Sequence, residues 1–159
     1  MLDHKRLKDV DIFQDLRAHE IDEILKLCDE VKSEEGIVLF REGEDAQFFY
    51  ILEGGRVDLR FEFPFKDSSK EMTIETVHEG RSFAWSALIE PHIFTLSAYC
   101  LEPCEMIRID SKRFLNLCES FPAIGFYVMR NLAKIIRHRL VSHQEQMKKE
   151  IGEYLLTKW

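Results

Sequence analysis

The feature that most constrains the fold is a helical pattern that runs without interruption through the last quarter of the chain. Apolar residues recur there at helical spacing, including Ile124, Val128, Leu132 and Leu155. A helix from about residue 121 to residue 157 would be roughly 55 Å long, because an α-helix rises about 1.5 Å per residue. A domain of 159 residues is much shorter than that. We therefore expect part of this helix to need another apolar surface.

The middle of the chain has the spacing of β-strands. In the clearest segment, apolar residues alternate with charged ones, at Val57, Leu59, Phe61 and Phe63. We predict strands at 37–40, 48–52, 57–63 and 72–77, two more between 96 and 110, and a polar loop at 64–70. Many short strands with closely spaced turns indicate an antiparallel roll or barrel rather than a parallel sheet.

Helical patterns flank this region on both sides. Ile21 begins an i, i+3, i+4, i+7 apolar series that reaches Cys28 and predicts an amphipathic helix, which Gly36 would end. Asp110 or Ser111 can cap a helix after the last strand, and a proline follows near the start of the long helix.

The predicted fold class is α+β, in one domain that spans residues 1–159. N-terminal helices occupy 1–35, and an antiparallel β-roll, similar to a jelly roll or double-stranded β-helix, occupies 36–110. C-terminal helices occupy 111–159.

Composition excludes several classes of protein. The formal net charge of −7 and sequence pI near 5.4 argue against a dedicated nucleic-acid surface, which would be basic. No apolar run approaches the roughly 20 residues that cross a bilayer, and the first residues lack an apolar signal region. The four cysteines form no dense disulfide framework, so we expect a reduced, cytoplasmic protein.

The stretch 79–98 is the best candidate for a ligand site. A turn pair, Glu79-Gly80, precedes five apolar residues within positions 83–89, and a second turn signal follows at Glu90-Pro91. This order predicts a short helical turn between two strands, because the apolar run does not alternate. The unpaired N–H groups at the start of such a turn form a natural anion cradle.

Three separated motifs carry a family resemblance. Residues 36–45 read GIVLFREGED, residues 49–59 read FYILEGGRVDL, and residues 106–114 read MIRIDSKRF. In order and spacing they resemble the cyclic-nucleotide-binding domain, which occurs in catabolite activator proteins, kinase regulatory subunits and gated channels. The similarity runs from about Leu7 to Leu140. It implies a regulatory domain in signal transduction that senses a ligand and reports it through the long C-terminal helix.

In the resembled family, the central stretch is a phosphate-binding cassette that reads Phe-Gly-Glu, then Ala-Leu, then Arg followed by small residues. Phe83 and Ala87 set the frame here, so the family's Gly corresponds to Ala84 and its ribose-binding Glu to Trp85. No Arg occurs at 92–94. A buried phosphate without its guanidinium costs several kcal/mol, and a ribose hydroxyl without an acceptor costs about 1–3 kcal/mol more. The resemblance therefore implies that cyclic AMP and cyclic GMP bind weakly or not at all.

The predicted ligand-binding residues are those of this altered cassette: Arg81, Phe83, Ala84, Trp85, Ser86, Ala87, His92, Phe94 and Thr95. Arg81 and His92 are the cations that remain to contact an anion. The aromatic side chains could stack on a ring-shaped ligand or fill the pocket as core, and the missing charges favour core. Two functions therefore stay open: a small-molecule or nucleotide sensor, and a protein-interaction scaffold whose pocket is filled by its own side chains.

Metal binding and catalysis have little support in the sequence. Cys100 and Cys104 could ligate a metal with His78 or His92, but no second cysteine pair stands at zinc-finger spacing. The other histidines are scattered, so a cupin-like metal site is not indicated. No catalytic motif or Gly-rich phosphate loop occurs. We predict no cofactor and no enzyme activity.

The C-terminal helix suggests a partner. A basic cluster at 130–139 could contact nucleic acid or an acidic protein, although a solvated helix face is the preferred interpretation. Positions at steps of three and four are typical of a coiled coil, and here they are Val128, Leu132, Ile135, then Leu140 or Arg139, His143, Met147, Ile151 and Leu155. The early part of the helix, through about Ile136, can lie against the roll, and the later part needs a partner. We predict a homodimer through this helix.

Because the sequence stops at Trp159, where many family members continue into a DNA-binding domain, we expect no direct DNA binding. We expect no membrane contact either.

Overall fold

Eight strands form two four-stranded antiparallel sheets within residues 3–65 and 68–158, which the computed structural model describes. The strands are β1 Cys28–Ser33, β2 Val38–Phe40, β3 Phe48–Gly54, β4 Val57–Phe65, β5 Ser68–Val77, β6 Ser82–Phe83, β7 Ser97–Cys100 and β8 Cys104–Asp110. One sheet has the order β1-β8-β3-β6 and the other β2-β7-β4-β5. The predicted antiparallel β-roll of an α+β protein is thus confirmed.

Helices stand at both ends of the roll. They are α1 His4–Lys8, α2 Ala18–Leu25, α3 Ser111–Ser120 and α4 Pro122–Thr157, with 3₁₀ turns at Asp11–Phe13 and Trp85–Leu88. The Asp110 carboxylate accepts a hydrogen bond of 2.8 Å from the backbone N–H of Arg113 and so caps α3, as predicted. Pro122 is the first residue of α4, where its missing N–H costs nothing.

The N-terminal boundary of the roll differs from the prediction. α2 ends at Leu25, and Cys28, which was predicted on the helix, begins strand β1. All six residues of β1 pair with β8. Most β1 side chains are polar and partly or fully exposed, so the segment has no apolar alternation, and the free edge of β8 is what makes it a strand. The roll therefore begins at residue 28 rather than 36.

The polar loop predicted at 64–70 is also shorter than expected. β4 continues to Phe65 and β5 begins at Ser68, while residues 66 and 67 lie outside the described part of the chain. The tip of this hairpin projects beyond the core, as the exposed Phe63 and Met72 show. Backbone pairing extends the two strands there, and a contact between the Phe61 and Phe63 rings, with centroids 4.9 Å apart, lies on the same hairpin.

The first part of α4 is anchored to the N-terminal segment. The buried Asn131 side chain donates hydrogen bonds to the carbonyls of Ile12 (3.3 Å) and Gln14 (2.7 Å). Val128 and Leu132 are buried on the same side of the helix. Beyond Leu132, no described apolar residue of α4 is fully buried. The helix therefore extends past its own domain, as its length predicts.

The turn between β3 and β4 offers a test of the packing of the roll. Gly55 has φ +89°, and a Cβ on it would lie 2.6 Å from the Pro103 carbonyl oxygen and 2.8 Å from Cys104 Sγ. Gly43 has φ +88° but open space around it. We expect Gly43→Ala to cost about 1 kcal/mol through backbone conformation alone. Gly55→Ala should cost at least about 2 kcal/mol more, because backbone atoms must also move.

Urea denaturation of both variants measures the difference in the free energy of unfolding. Equal losses in the two variants would contradict the close approach of Gly55 to the turn after β7.

Candidate ligand-binding site

The stretch singled out in the sequence forms a strand followed by a tight turn. β6 pairs with β3 through Phe83 and Ser82, and the 3₁₀ turn Trp85–Leu88 follows. This confirms the predicted helical turn next to a strand. Ala84 connects the two in the left-handed conformation, with φ 66° and ψ 36°. That conformation costs a residue with a Cβ about 1–2 kcal/mol, so the turn retains a backbone shape suited to glycine although glycine is absent.

Aromatic rings fill the interior of the roll beside this turn. Phe40 and Phe94 are stacked with ring centroids 3.8 Å apart, and Tyr50 lies 5.3 Å from Phe83 and 6.1 Å from Phe40. The cavity that remains has a volume of about 80 Å³ and is bounded on one side by Trp85. Pockets that enclose small molecules usually have at least roughly 300 Å³. As it stands, the interior is too small for a nucleotide.

Trp85 is fixed by a chain of hydrogen bonds. Its indole Nε1 donates to Ser82 Oγ at 2.9 Å, and that hydroxyl donates to Asp11 Oδ1 at 2.6 Å. The same carboxylate oxygen accepts the backbone N–H groups of Ser82 (3.1 Å) and Ile12 (2.8 Å). Three donors therefore satisfy the buried Asp11 charge. The chain connects Trp85 to the N-terminal segment on which α4 is anchored.

Arg139 of α4 covers the outer face of Trp85. Its guanidinium carbon lies 4.4 Å from the centre of the indole ring, which is a cation–π contact. The same guanidinium forms an ion pair with Glu75 of β5. Burial lowers the pKa of Arg139, and the neighbouring Glu75 acts in the opposite direction. Because the ordinary pKa of arginine is so high, the group stays charged at neutral pH.

A larger cavity lies on the other side of Trp85. It is a half-open groove of about 680 Å³ between α4 and the segment that joins β5 to β6. Arg81, Lys134 and Arg139 are among its lining residues, together with the apolar side chains of Ile74 and Ile135. Trp85 thus separates a nearly filled interior from an open groove.

The predicted site residues divide between these places. Ala84, Trp85, Ser86, Phe94 and Thr95 line the small interior cavity, and Arg81 and Trp85 line the groove. Phe83 and Ala87 are completely buried in the core.

His92 does not join the others. It has φ 58°, its Nδ1 lies 3.1 Å from the Ala87 carbonyl oxygen, and it borders a third cavity near the start of α3. Sequence reasoning also missed Arg139 and Glu75 as neighbours of the cassette. The basic cluster was the one signal that pointed toward Arg139.

That basic cluster is not a single surface. Arg130 pairs with Asp15 at 2.6 Å and does not line the groove, whereas Lys134, His138 and Arg139 do. The residues considered for a metal do not all come together: Cys100 and Cys104 are buried next to each other, while His78 lines the groove and His92 borders the third cavity. Among the described residues there is no group of three or more potential metal ligands. No helix in the described part of the chain has the length and apolar character needed to cross a membrane.

Comparison with known proteins identifies the class of this domain. The family model described as the cyclic nucleotide-binding domain matches residues 30–121, which is more than half of the chain. The chain belongs to the cyclic nucleotide-binding domain family. No functionally curated protein matches its sequence.

Solved structures agree with this assignment. A putative cyclic nucleotide-binding protein from Geobacter metallireducens is 28% identical, with a TM-score of 0.73 and coverage of 88% of this chain and 99% of that one. The sensor domain of the transcriptional regulator DNR from Pseudomonas aeruginosa is 22% identical, with a TM-score of 0.71 and coverage of 86% and 90%. The catabolite activator protein of Thermus thermophilus is 23% identical, with a TM-score of 0.71 and coverage of 86% and 61%. The family supports a regulatory, ligand-sensing role.

Trp85 provides a test of how the site is packed. The side chain is 8% exposed, so we expect Trp85→Ala to cost about 3–5 kcal/mol through the cavity that it leaves. Trp85→Phe keeps one aromatic ring but loses the hydrogen bond to Ser82 and part of the packing against Arg139, so it should cost about 1–3 kcal/mol, less than Trp85→Ala. Chemical denaturation gives both values. A loss well below 3 kcal/mol for Trp85→Ala would mean that Trp85 is not packed as core.

Proposed function

We propose that this chain is a non-catalytic sensor domain that binds a small ligand other than cyclic AMP or cyclic GMP. The contact between Arg139 and Trp85 carries this proposal, because it joins the C-terminal helix directly to the cassette. A ligand that changes the position of Trp85 changes the contacts of α4. The helix is then the element that reports binding.

Three features argue against the usual nucleotides. The interior cavity has only about 80 Å³, Trp85 stands where the family carries the ribose-binding Glu, and no Arg occurs at 92–94. Arg139 borders that cavity but is already paired with Glu75. Binding a cyclic nucleotide would therefore require the aromatic packing and an ion pair to be broken.

Cyclic AMP and cyclic GMP should leave the thermal stability unchanged. At 1 mM ligand, a dissociation constant above about 1 mM stabilises the native state by less than about 0.4 kcal/mol, which moves the melting temperature by no more than about 2 °C. A thermal-shift screen that also contains non-cyclic nucleotides and other metabolites measures this directly. Micromolar binding of either cyclic nucleotide in calorimetry would refute the proposal.

The absence of catalysis is part of the proposal. Burial raises the pKa of the Cys28 thiol to about 12 and those of Cys104 and Cys118 to about 11. These thiols are therefore protonated at neutral pH and poorly suited as nucleophiles. All four cysteines are free, which supports a reducing, cytoplasmic location.

A scaffold role is the second candidate function, and the stacked aromatic rings favour it. Phe40, Tyr50, Phe83 and Phe94 pack against one another as a core would. In that case the domain would serve to present α4 to a partner. Failure of every compound in the screen to stabilise the protein would favour the scaffold over the sensor.

We also propose that α4 forms a homodimer. Seven of its exposed apolar side chains form one stripe on the helix, while the exposed Leu156 lies off it. The stripe is made of Phe126, Ile136, Leu140, Met147, Ile151, Tyr154 and Leu155. Val128 and Leu132, which were predicted in the same coiled-coil seam, are buried within the chain. A lone helix gains little stability from propensity in water. Pairing with a second copy about a two-fold axis would cover the stripe.

Light scattering tests the dimer. We expect a mass near twice the 18.8 kDa of one chain, and a monomer for the double variant Leu140→Glu with Met147→Glu, because it places charges in the stripe. Lys149→Glu changes a charge elsewhere on the same helix and should remain dimeric. A wild-type mass near 19 kDa would exclude the dimer.

A further inference from the structure

The groove outside Trp85 has an unbalanced positive charge. Three permanent cations line it, namely Arg81, Lys134 and Arg139, against two carboxylates, Asp11 and Glu75. Asp11 already accepts three hydrogen bonds, and Glu75 is paired with Arg139. Among the described residues, neither Arg81 nor Lys134 has an ion-pair partner. Arg81 and Lys134 are therefore available to contact an anion in the groove.

One polar atom of a side chain that lines this groove is buried without a hydrogen bond. It is Arg139 Nε, whereas Nη2 of the same guanidinium is paired with Glu75 Oε2. Buried polar atoms are normally hydrogen-bonded, so unsatisfied ones require an explanation. An anion placed beside Arg139 could accept a hydrogen bond from Nε.

The groove also has an apolar wall. Ile74, Trp85 and Ile135 line it beside the cations, and its volume of about 680 Å³ lies within the range of small-molecule sites. A ligand that fits both features carries an anion at one end and an apolar ring at the other. Of the common anions, a phosphate monoester has several oxygens and a double charge, and so matches three separate cations better than a carboxylate does.

We infer that this groove binds a small phosphate monoester that carries an apolar ring. Arg81, Lys134 and Arg139 bind the phosphate, and Trp85 contacts the ring. This inference rests on the proposed sensing function and moves its ligand from the interior of the roll to the outside of Trp85. The ligand competes with Glu75 for Arg139. Binding therefore weakens the contact of β5 with α4 and changes the contact between Arg139 and Trp85.

Fluorescence of Trp85 measures this directly. The chain has two tryptophans, so Trp159→Phe leaves Trp85 as the only one. In this background we would titrate AMP, ribose 5-phosphate and inorganic phosphate at low salt, where charge interactions are least screened. We expect a saturable response to AMP, with an affinity at least tenfold higher than that of ribose 5-phosphate, because the base contributes apolar contact.

Substitutions locate the site. Arg81→Gln and Lys134→Gln should each raise the dissociation constant for AMP about tenfold or more, because each removes a charge-assisted contact. Glu75→Gln should lower it several-fold, because it removes the competing carboxylate. Arg137→Gln is the matched control, since Arg137 is exposed on α4 and does not line the groove. The melting temperature of each variant confirms that it is folded.

Several outcomes would overturn the inference. The first is the absence of a saturable response to AMP or phosphate up to about 10 mM, which corresponds to a binding free energy weaker than about −3 kcal/mol. The second is equal affinity for AMP and ribose 5-phosphate. The third is a loss of affinity in Arg137→Gln as large as that in Arg81→Gln. A compound that stabilises the wild type, but whose affinity is unchanged by Arg81→Gln and Lys134→Gln, overturns the groove and leaves the sensing function intact. AMP binding that leaves amide hydrogen exchange in α4 unchanged confirms the groove and refutes the sensing function.

Discussion

The cation–π contact between Arg139 and Trp85 is the interaction on which the rest of the site depends. Trp85 is hydrogen-bonded through Ser82 to Asp11 on one side and covered by Arg139 on the other. The three elements that meet there are the cassette turn, the N-terminal segment and the long helix. Direct side-chain contacts therefore join the three elements, and the proposed sensing function depends on these contacts.

The roll itself shows what replaces a ligand when its charged partners are absent. Where the family carries a glycine and a glutamate, this chain has Ala84 in a left-handed conformation and a buried Trp85. The interior is stabilised by apolar packing of Phe40, Phe94 and their neighbours instead of by charge-assisted hydrogen bonds to a ligand. Arg81 and Lys134 line the groove and not the interior cavity, while Arg139 lines both.

Helix α4 has one side buried within the domain and another side exposed. One side, with Val128, Asn131 and Leu132, is buried against the N-terminal segment and the roll. The other side carries the exposed stripe that includes Leu140 and Met147. Because Arg139 lies next to Leu140 in sequence, rotation of the helix at the groove also moves the stripe. Ligand binding and partner binding are therefore physically coupled on the proposed interpretation of this domain.

Local patterns in the sequence determined most of the fold. The alternation in β4, the turn signals and the helical spacing after residue 121 each depend on neighbouring residues, and the structure confirms them. The family resemblance, through the cassette motif, singled out Ala84 and Trp85, which form the turn beside the candidate site. Tertiary structure decided the rest. Strand β1 forms because β8 offers a free edge. Arg139 contacts Glu75 and Trp85, which lie 64 and 54 positions before it in the sequence. No local pattern encodes such contacts, because they arise only when the helix packs across the roll.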